Sequence, residues 1–133
     1  MDRNLQILGI AKKAGLIAVG GDAVNTATRS GKAKLVISAE DASESAVRRA
    51  RHNAETSGAK HITVPYTKFE LGNITGRGSP GTAAFLDAGL AAKFAQGLAE
   101  TNPGSYGDAA EHLKEKADAL SRKRKHTPRR TAI

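Results

Sequence analysis

The sequence has no cysteine and no tryptophan, and only five aromatic residues: Tyr66, Phe69, Phe85, Phe94 and Tyr106. Without cysteine there are no disulfides and no thiolate metal sites, which fits a reducing compartment, the cytoplasm. No apolar run approaches the roughly 18–20 residues that cross a membrane. The opening Met1-Asp2-Arg3-Asn4-Leu5-Gln6 lacks the basic start and apolar core of a secretory signal. The expectation is a soluble cytoplasmic protein without a membrane partner. So few aromatics disfavour folds that stack several bases on aromatic platforms, such as RRM and OB domains. A nucleic acid, if bound, would be held mainly through backbone shape, amides and charge.

Catalytic and cofactor signatures are also missing. His52, His61, His112 and His126 show no metal-ligand spacing, and no serine sits in G-x-S-x-G or S-x-x-K. There is no Walker loop. Gly76-Arg77-Gly78-Ser79-Pro80-Gly81 matches G-x-G-x-x-G, but in reversed context: it follows a predicted helix and enters a predicted strand. Pro80 also removes an amide that a phosphate would need. Glu40 and Asp41 form a carboxylate pair at a strand end, where Asp41 has a sufficient role as a helix cap. No enzyme, cofactor or small-molecule substrate is expected.

What the chain does have is positive charge. Lysine and arginine number 21 against 13 acidic residues, a net charge of +8 and a pI near 10.1. That favours a polyanionic partner, most commonly nucleic acid, although many basic proteins are simply soluble. Its 133 residues suffice for one domain with a real core and a tail.

The chain is organised around Gly20 to Asp41. Gly20 and Gly21 permit a tight turn, and Asp22 is placed to cap the amides that follow. Ala23, Val24 and Ala27 supply a small apolar face, with Asn25, Thr26, Thr28 and Arg29 outward and Gly31 as the helix stop. Lys32 and Lys34 flank the start of a central strand, Leu35-Val36-Ile37. A glycine turn that feeds helix N-terminal amides beside lysines suits an anionic ligand, and so do many ordinary βα units.

Before this stretch, Asp2 to Ala14 reads as a helix with Lys12 and Lys13 in its last turn, where they complement the helix dipole. Gly15 stops it, and Leu16 to Val19 reads as a strand. After it, Asp41 and Glu44 form a capping box opening a helix with Val47, Ala50 and Ala54 inward and Arg48, Arg49, Arg51, His52 and Glu55 mostly outward. Ile62 to Val64 is a buried strand. Thr67 and Glu70 are a second capping box, for a short helix that Gly72 weakens and Gly76 stops. Arg77 to Gly81 is a loop, Thr82 to Leu86 a strand, and Asp87 caps a helix carrying Leu90, Ala91, Phe94 and Leu98. Strands alternating with short helices predict an α/β sandwich of about four strands over residues 1–100. Residues 101–133 read as a linker (Thr101 to Tyr106), a helix capped by Asp108 and Glu111 with a Leu113, Ala117, Leu120 stripe, and a basic run. That run, Ser121 to Arg130, has seven Lys, Arg or His in ten residues. It is either a solubilising tail or a non-specific nucleic-acid contact.

Taken in order, these residues resemble the L7Ae/L30e-type RNA-binding proteins, and more closely their bacterial YlxQ-like branch of ribosomal-protein-like members. The resemblance is carried by Leu8-Gly9-Ile10-Ala11-Lys12-Lys13-Ala14-Gly15, by Gly20 before a polar helix start, and by Ser30-Gly31-Lys32-Ala33-Lys34-Leu35-Val36. Ala39-Glu40-Asp41-Ala42-Ser43, Glu70-Leu71-Gly72 with Gly76, and Gly81-Thr82-Ala83-Ala84 complete it, so that it spans about residues 4–98.

The resemblance implies a three-layer α-β-α sandwich with a mixed four-stranded sheet. It also implies binding of structured RNA, in the family a kink-turn or similar internal loop. The RNA would meet the helix start at Gly20, Gly21, Asp22 and Asn25, together with the loop Gly78, Ser79, Pro80, Gly81 and Thr82. Lys12, Lys13, Arg29, Lys32, Lys34 and Arg77 would neutralise phosphates, and the ribosome is a candidate assembly. Kink-turn binders carry Gly-x-Asn-Glu at the glycine turn; here Asp22 and Ala23 stand in place of the Asn and Glu. Leu16, Ile17, Ala18 and Val19 replace their preceding lysines. Asn25, one helical step further in, is a candidate substitute. Two other readings stay open: a protein-interaction module on a sandwich that has lost specific RNA recognition, and a recognition domain serving an RNA-modifying enzyme on another chain.

Overall fold

The computed structural model describes residues 2–126. Its four strands, β1 (Ile17–Val19), β2 (Leu35–Ser38), β3 (Lys60–Thr63) and β4 (Thr82–Phe85), form one sheet in the order β1-β4-β2-β3. β4 runs antiparallel to both β1 and β2, while β2 and β3 are parallel. The sheet is therefore mixed, and its two ends differ in kind. At one end β1, β2 and β3 finish and β4 begins, with Ser38 opposite both Thr82 and Thr63. At the other, Phe85 lies opposite Ile17 and Leu35, and Leu35 opposite Lys60.

Six helices cover the sheet: α1 (Arg3–Lys13), α2 (Gly21–Arg29), α3 (Glu44–Ser57), α4 (Lys68–Thr75), α5 (Ala88–Thr101) and α6 (Pro103–His126). The alternation of side chains along each strand sorts them into two layers. Leu35, Ile37, Ala83 and Phe85 face Leu8, Leu71, Phe94, Leu98 and Leu113 of α1, α4, α5 and α6. Val36 and Ala84 face Val24 and Ala27 of α2 and Ala50 and Ala54 of α3. The second layer is built almost wholly from small residues, which brings α2 and α3 close to the sheet. The result is an α-β-α sandwich, the architecture the resemblance implied.

Several local expectations are corrected. Thr28 points inward, not outward; it is buried, and its hydroxyl donates to the carbonyls of Val24 and Asn25, which satisfies a polar group out of water. β3 is an edge strand in which only Ile62 is buried. Ser43, not Asp41, caps α3 by accepting from the Ala46 amide. The stretch Thr101 to Tyr106 is no linker. Asn102 alone breaks the path between α5 and α6, its Oδ1 accepting from the Ser105 amide, and Pro103 suits a helix start because its missing N–H would have no partner there. Helix α6 therefore begins before Asp108. Tyr106, Ala109, Ala110 and Leu113 are buried in the main core, and the Tyr106 hydroxyl donates to the Thr63 carbonyl at 2.9 Å. Of the basic run, Ser121 to His126 continues α6; Thr127 to Arg130 lie outside the described residues.

Candidate nucleic-acid interface

The end of the sheet at Thr82 gathers the starts of α2, α3 and α4, because each follows a strand that finishes there. Two of these starts are closed by side chains. Ser43 caps α3. Thr67 and Glu70 cap α4 reciprocally, and Asp41 Oδ1 also accepts from the Lys68 amide at 2.8 Å. Helix α2 is different. Its capping position is Gly20, with φ of 98° and no side chain to offer, so the opening turn presents amides to whatever approaches. Only glycine adopts that φ without strain.

Asp22 is not the cap the sequence led us to expect. It falls in the first turn of the helix proper, two residues past the capping position, and is exposed there. From this position its carboxylate complements the helix dipole and would repel phosphates in the same place. Asn25 does not look outward either: it is half-buried, and its Oδ1 accepts from Asn53 Nδ2 on α3 at 3.2 Å.

The loop before β4 is clamped against this helix start. Gly20 donates its amide to the Thr82 carbonyl at 2.9 Å, and Ala39 donates to the Gly81 carbonyl at 2.8 Å. A Cβ on Gly81 would meet the Ala42 Cβ at 3.4 Å, and one on Gly72 would run into the carbonyl oxygens of Arg77 and Gly78. Gly78 and Ser79 remain exposed, Pro80 and Gly81 are half-buried, and Thr82 is buried. Between α2 and α3 lies a small cleft of about 50 Å³, closed at one side by Thr82, whose lining includes Gly21, Arg49 and Asn53. A wider one, about 340 Å³, opens beside it between Ala42, Glu44, Val47, Arg48 and Arg51.

The structure thus unites Gly20, Gly21, Asp22 and Asn25 with Gly78, Ser79, Pro80, Gly81 and Thr82, and sets Arg77 beside them. It does not bring Lys12, Lys13, Arg29, Lys32 and Lys34 to the same place. Lys12 and Lys13 end α1, Arg29 ends α2, and Lys32 and Lys34 lead into β2, all at the Phe85 end of the sheet. The nine residues of α2 separate the two groups by about 13 Å of helix. Sequence reasoning missed Arg48, Arg49, Arg51 and Asn53, which line the two clefts from α3. The signal in the sequence is three arginines within four positions, which in isolation read only as the outward face of a helix. Acidic Asp22, Glu40, Asp41, Glu44 and Glu70 lie at the Thr82 end too, so it is close to neutral, and the excess of positive charge sits at the other.

Among the described residues, no group with a displaced pKa lines either cleft. Burial, and secondly the positive Arg51, lower His61 to about 4; its Nε2 lies 2.8 Å from Ser38 Oγ. Burial raises Tyr66 to about 12, and its hydroxyl donates to Asp2 Oδ2 at 3.0 Å. Among the described residues no group of histidines and carboxylates could hold a metal ion, and no helix is long and apolar enough to cross a membrane.

Many solved structures are similar in fold to this chain. A protein of unknown function from Bacillus halodurans aligns with a TM-score of 0.67 at 23% identity, over 74% of this chain and 98% of its own. The Giardia lamblia 15.5kD RNA binding protein aligns with a TM-score of 0.54 at 19% identity, over 87% of this chain and 85% of its own. No family model matches the sequence, and no curated protein matches it. At such identities the likeness establishes the architecture.

Proposed function

We propose that this chain is a non-enzymatic, cytoplasmic RNA-binding protein, ribosomal-protein-like and of the YlxQ-like branch, that recognises structured RNA at the Thr82 end of its sheet. The observation that carries the proposal is the start of α2. It alone among the three helix starts gathered there lacks a side-chain cap, and it is bonded through Gly20 to Thr82, which lines the cleft between α2 and α3. Backbone amides aimed from a glycine turn favour phosphate oxygens and base edges held in an irregular backbone. Arg48, Arg49 and Arg51 supply the charge beside them. The RNA-binding character of the Giardia lamblia structural neighbour supports this reading.

A kink-turn or related internal loop is the class of target we propose, with a modified code. Asp22 offers no donor amide, and Ala23 cannot accept from a guanine edge. The second reading, a protein-interaction module with lapsed RNA recognition, draws on the same two residues and on the near-neutral charge of this end.

A salt titration of full-length protein against a kink-turn duplex, a plain duplex and total ribosomal RNA separates the two. The RNA reading expects preference for structured RNA, which Arg49→Ala weakens. It also expects the Asp22→Asn, Ala23→Glu double variant to gain kink-turn affinity by tenfold or more, the size of one good base contact. Equal binding to all three RNAs, unmoved by either change, would favour the protein-interaction module.

A further inference from the structure

Of the five aromatic residues, Tyr66, Phe85, Phe94 and Tyr106 are buried, whereas Phe69 is 73% exposed. A single exposed apolar side chain is ordinary on a protein surface; what distinguishes Phe69 is its place. It is the second residue of α4 (Lys68–Thr75), at the Thr82 end of the sheet. Gly72 lies three residues on and Asn73 four, so all three share one side of the helix. Against Gly72 the backbone of Arg77 and Gly78 packs so closely that no Cβ would fit, and the Arg77 amide donates to the Gly72 carbonyl at 3.1 Å. The side of α4 that carries the exposed ring is therefore packed, one turn on, against the backbone of Arg77 and Gly78. Asn73 and Arg77 are also exposed, and Lys68 precedes the ring, with its stem reaching toward Gly81.

We infer that Phe69 is a stacking platform for one unpaired nucleobase of the bound RNA, with Asn73 placed to read that base's edge. This rests on the RNA-binding reading proposed above and adds to it a second contact, on α4 rather than α2. The chemistry fits one class of occupant. A base has an apolar face for the ring and polar edges for the carboxamide, and its phosphate answers Arg77 and Lys68. The capping box and Asp41 hold the first turn of α4, so the ring is presented from a fixed backbone and little is lost in ordering it. An apolar peptide side chain would use the ring and leave the flanking cations and amide without partners.

The test uses the full-length protein and a kink-turn duplex in which each unpaired nucleotide is replaced in turn by fluorescent 2-aminopurine. Stacking predicts quenching at one position. Phe69→Ala is expected to abolish that quench and weaken binding about tenfold, the scale of one base–aromatic stack, while leaving the thermal midpoint unchanged. Phe69→Trp should retain both, and Phe69→Leu, which keeps apolar surface but no ring, should lose both. An abasic site at the quenched position should add no further loss to Phe69→Ala, since each removes the same interaction. Wild-type binding that Phe69→Ala or Phe69→Leu leaves unchanged overturns this inference and spares the RNA reading. Absence of wild-type binding to any structured RNA overturns the RNA reading and this inference with it.

Discussion

His61 is a neutral ring held between β3 and the wholly buried Ser38, and that state has a cost in acid. With its pKa lowered to about 4 in the fold and near 6.5 in the unfolded chain, the unfolded state binds the extra proton between those values. Stability is therefore complete above pH 6.5 and falls as the pH drops toward 4. Water reaching one side of the ring keeps the loss to about 1–2 kcal/mol. Urea midpoints from pH 7 down to 4 should show that decline. His61→Asn, which leaves Ser38 a polar partner, should flatten the part of it that lies between pH 6.5 and 5. Gly72 makes a second demand at this scale, steric rather than electrostatic. Gly72→Ala is expected to destabilise the fold by about 1–3 kcal/mol in thermal or urea unfolding, whereas Gly78→Ala, with open space around it, should be near neutral. Neither effect is visible in the sequence. Gly72 reads there as a weak spot in a helix, because the carbonyls that forbid a side chain arrive from five and six residues further on.

At the scale of elements the legible features were those written in local chemistry. The Thr67–Glu70 capping box, the Asp87 cap and the positive-φ glycines at 15, 31 and 76 stand where the pattern placed them. Caps that depend on a neighbouring element were not legible. Asp41 sits in a sequence that reads as the cap of its own following helix, yet its carboxylate reaches α4, because β2 and β3 end side by side. Asp22 failed as a cap for a local reason, the φ of Gly20, which starts the helix earlier. Helix α6 failed through composition: Asn102-Pro103-Gly104-Ser105 looks like a linker, but one asparagine cap and one proline suffice to restart a helix. Burial then makes α6 part of the core, and Leu113, fully buried between it and the sheet, measures how much. Leu113→Ala should cost about 2–5 kcal/mol. Cutting the chain after residue 100 should leave a protein that melts early or fails to fold, read by circular dichroism.

The whole molecule separates shape from charge. At the Thr82 end lie the open start of α2, the clamped loop and Phe69, in a field where acids nearly balance arginines. At the Phe85 end stand Lys12, Lys13, Arg29, Lys32, Lys34 and Lys60. Helix α6 crosses from one end to the other: Tyr106 bonds Thr63, while His112 lies close enough to Lys60 to feel its charge. Residues 113–126 add about 20 Å of helix beyond that point, so the basic stretch at its close extends from the lysine-rich end. One sequence motif suggested one site because Lys32 and Lys34 are only a dozen residues from Gly21, but an intervening helix carries them away. On the RNA-binding reading proposed above, affinity and selectivity should therefore respond to different substitutions. Lys32→Gln with Lys34→Gln is expected to weaken binding to kink-turn and plain duplexes alike. It should also lower the slope of log affinity against log salt by about 0.9 for each duplex phosphate that the protein no longer neutralises, with the preference between the RNAs intact. Arg49→Ala should reduce that preference. If the lysine pair instead governed the preference, the RNA would have to lie along α2 from end to end, and the two ends of the sheet would form one continuous surface.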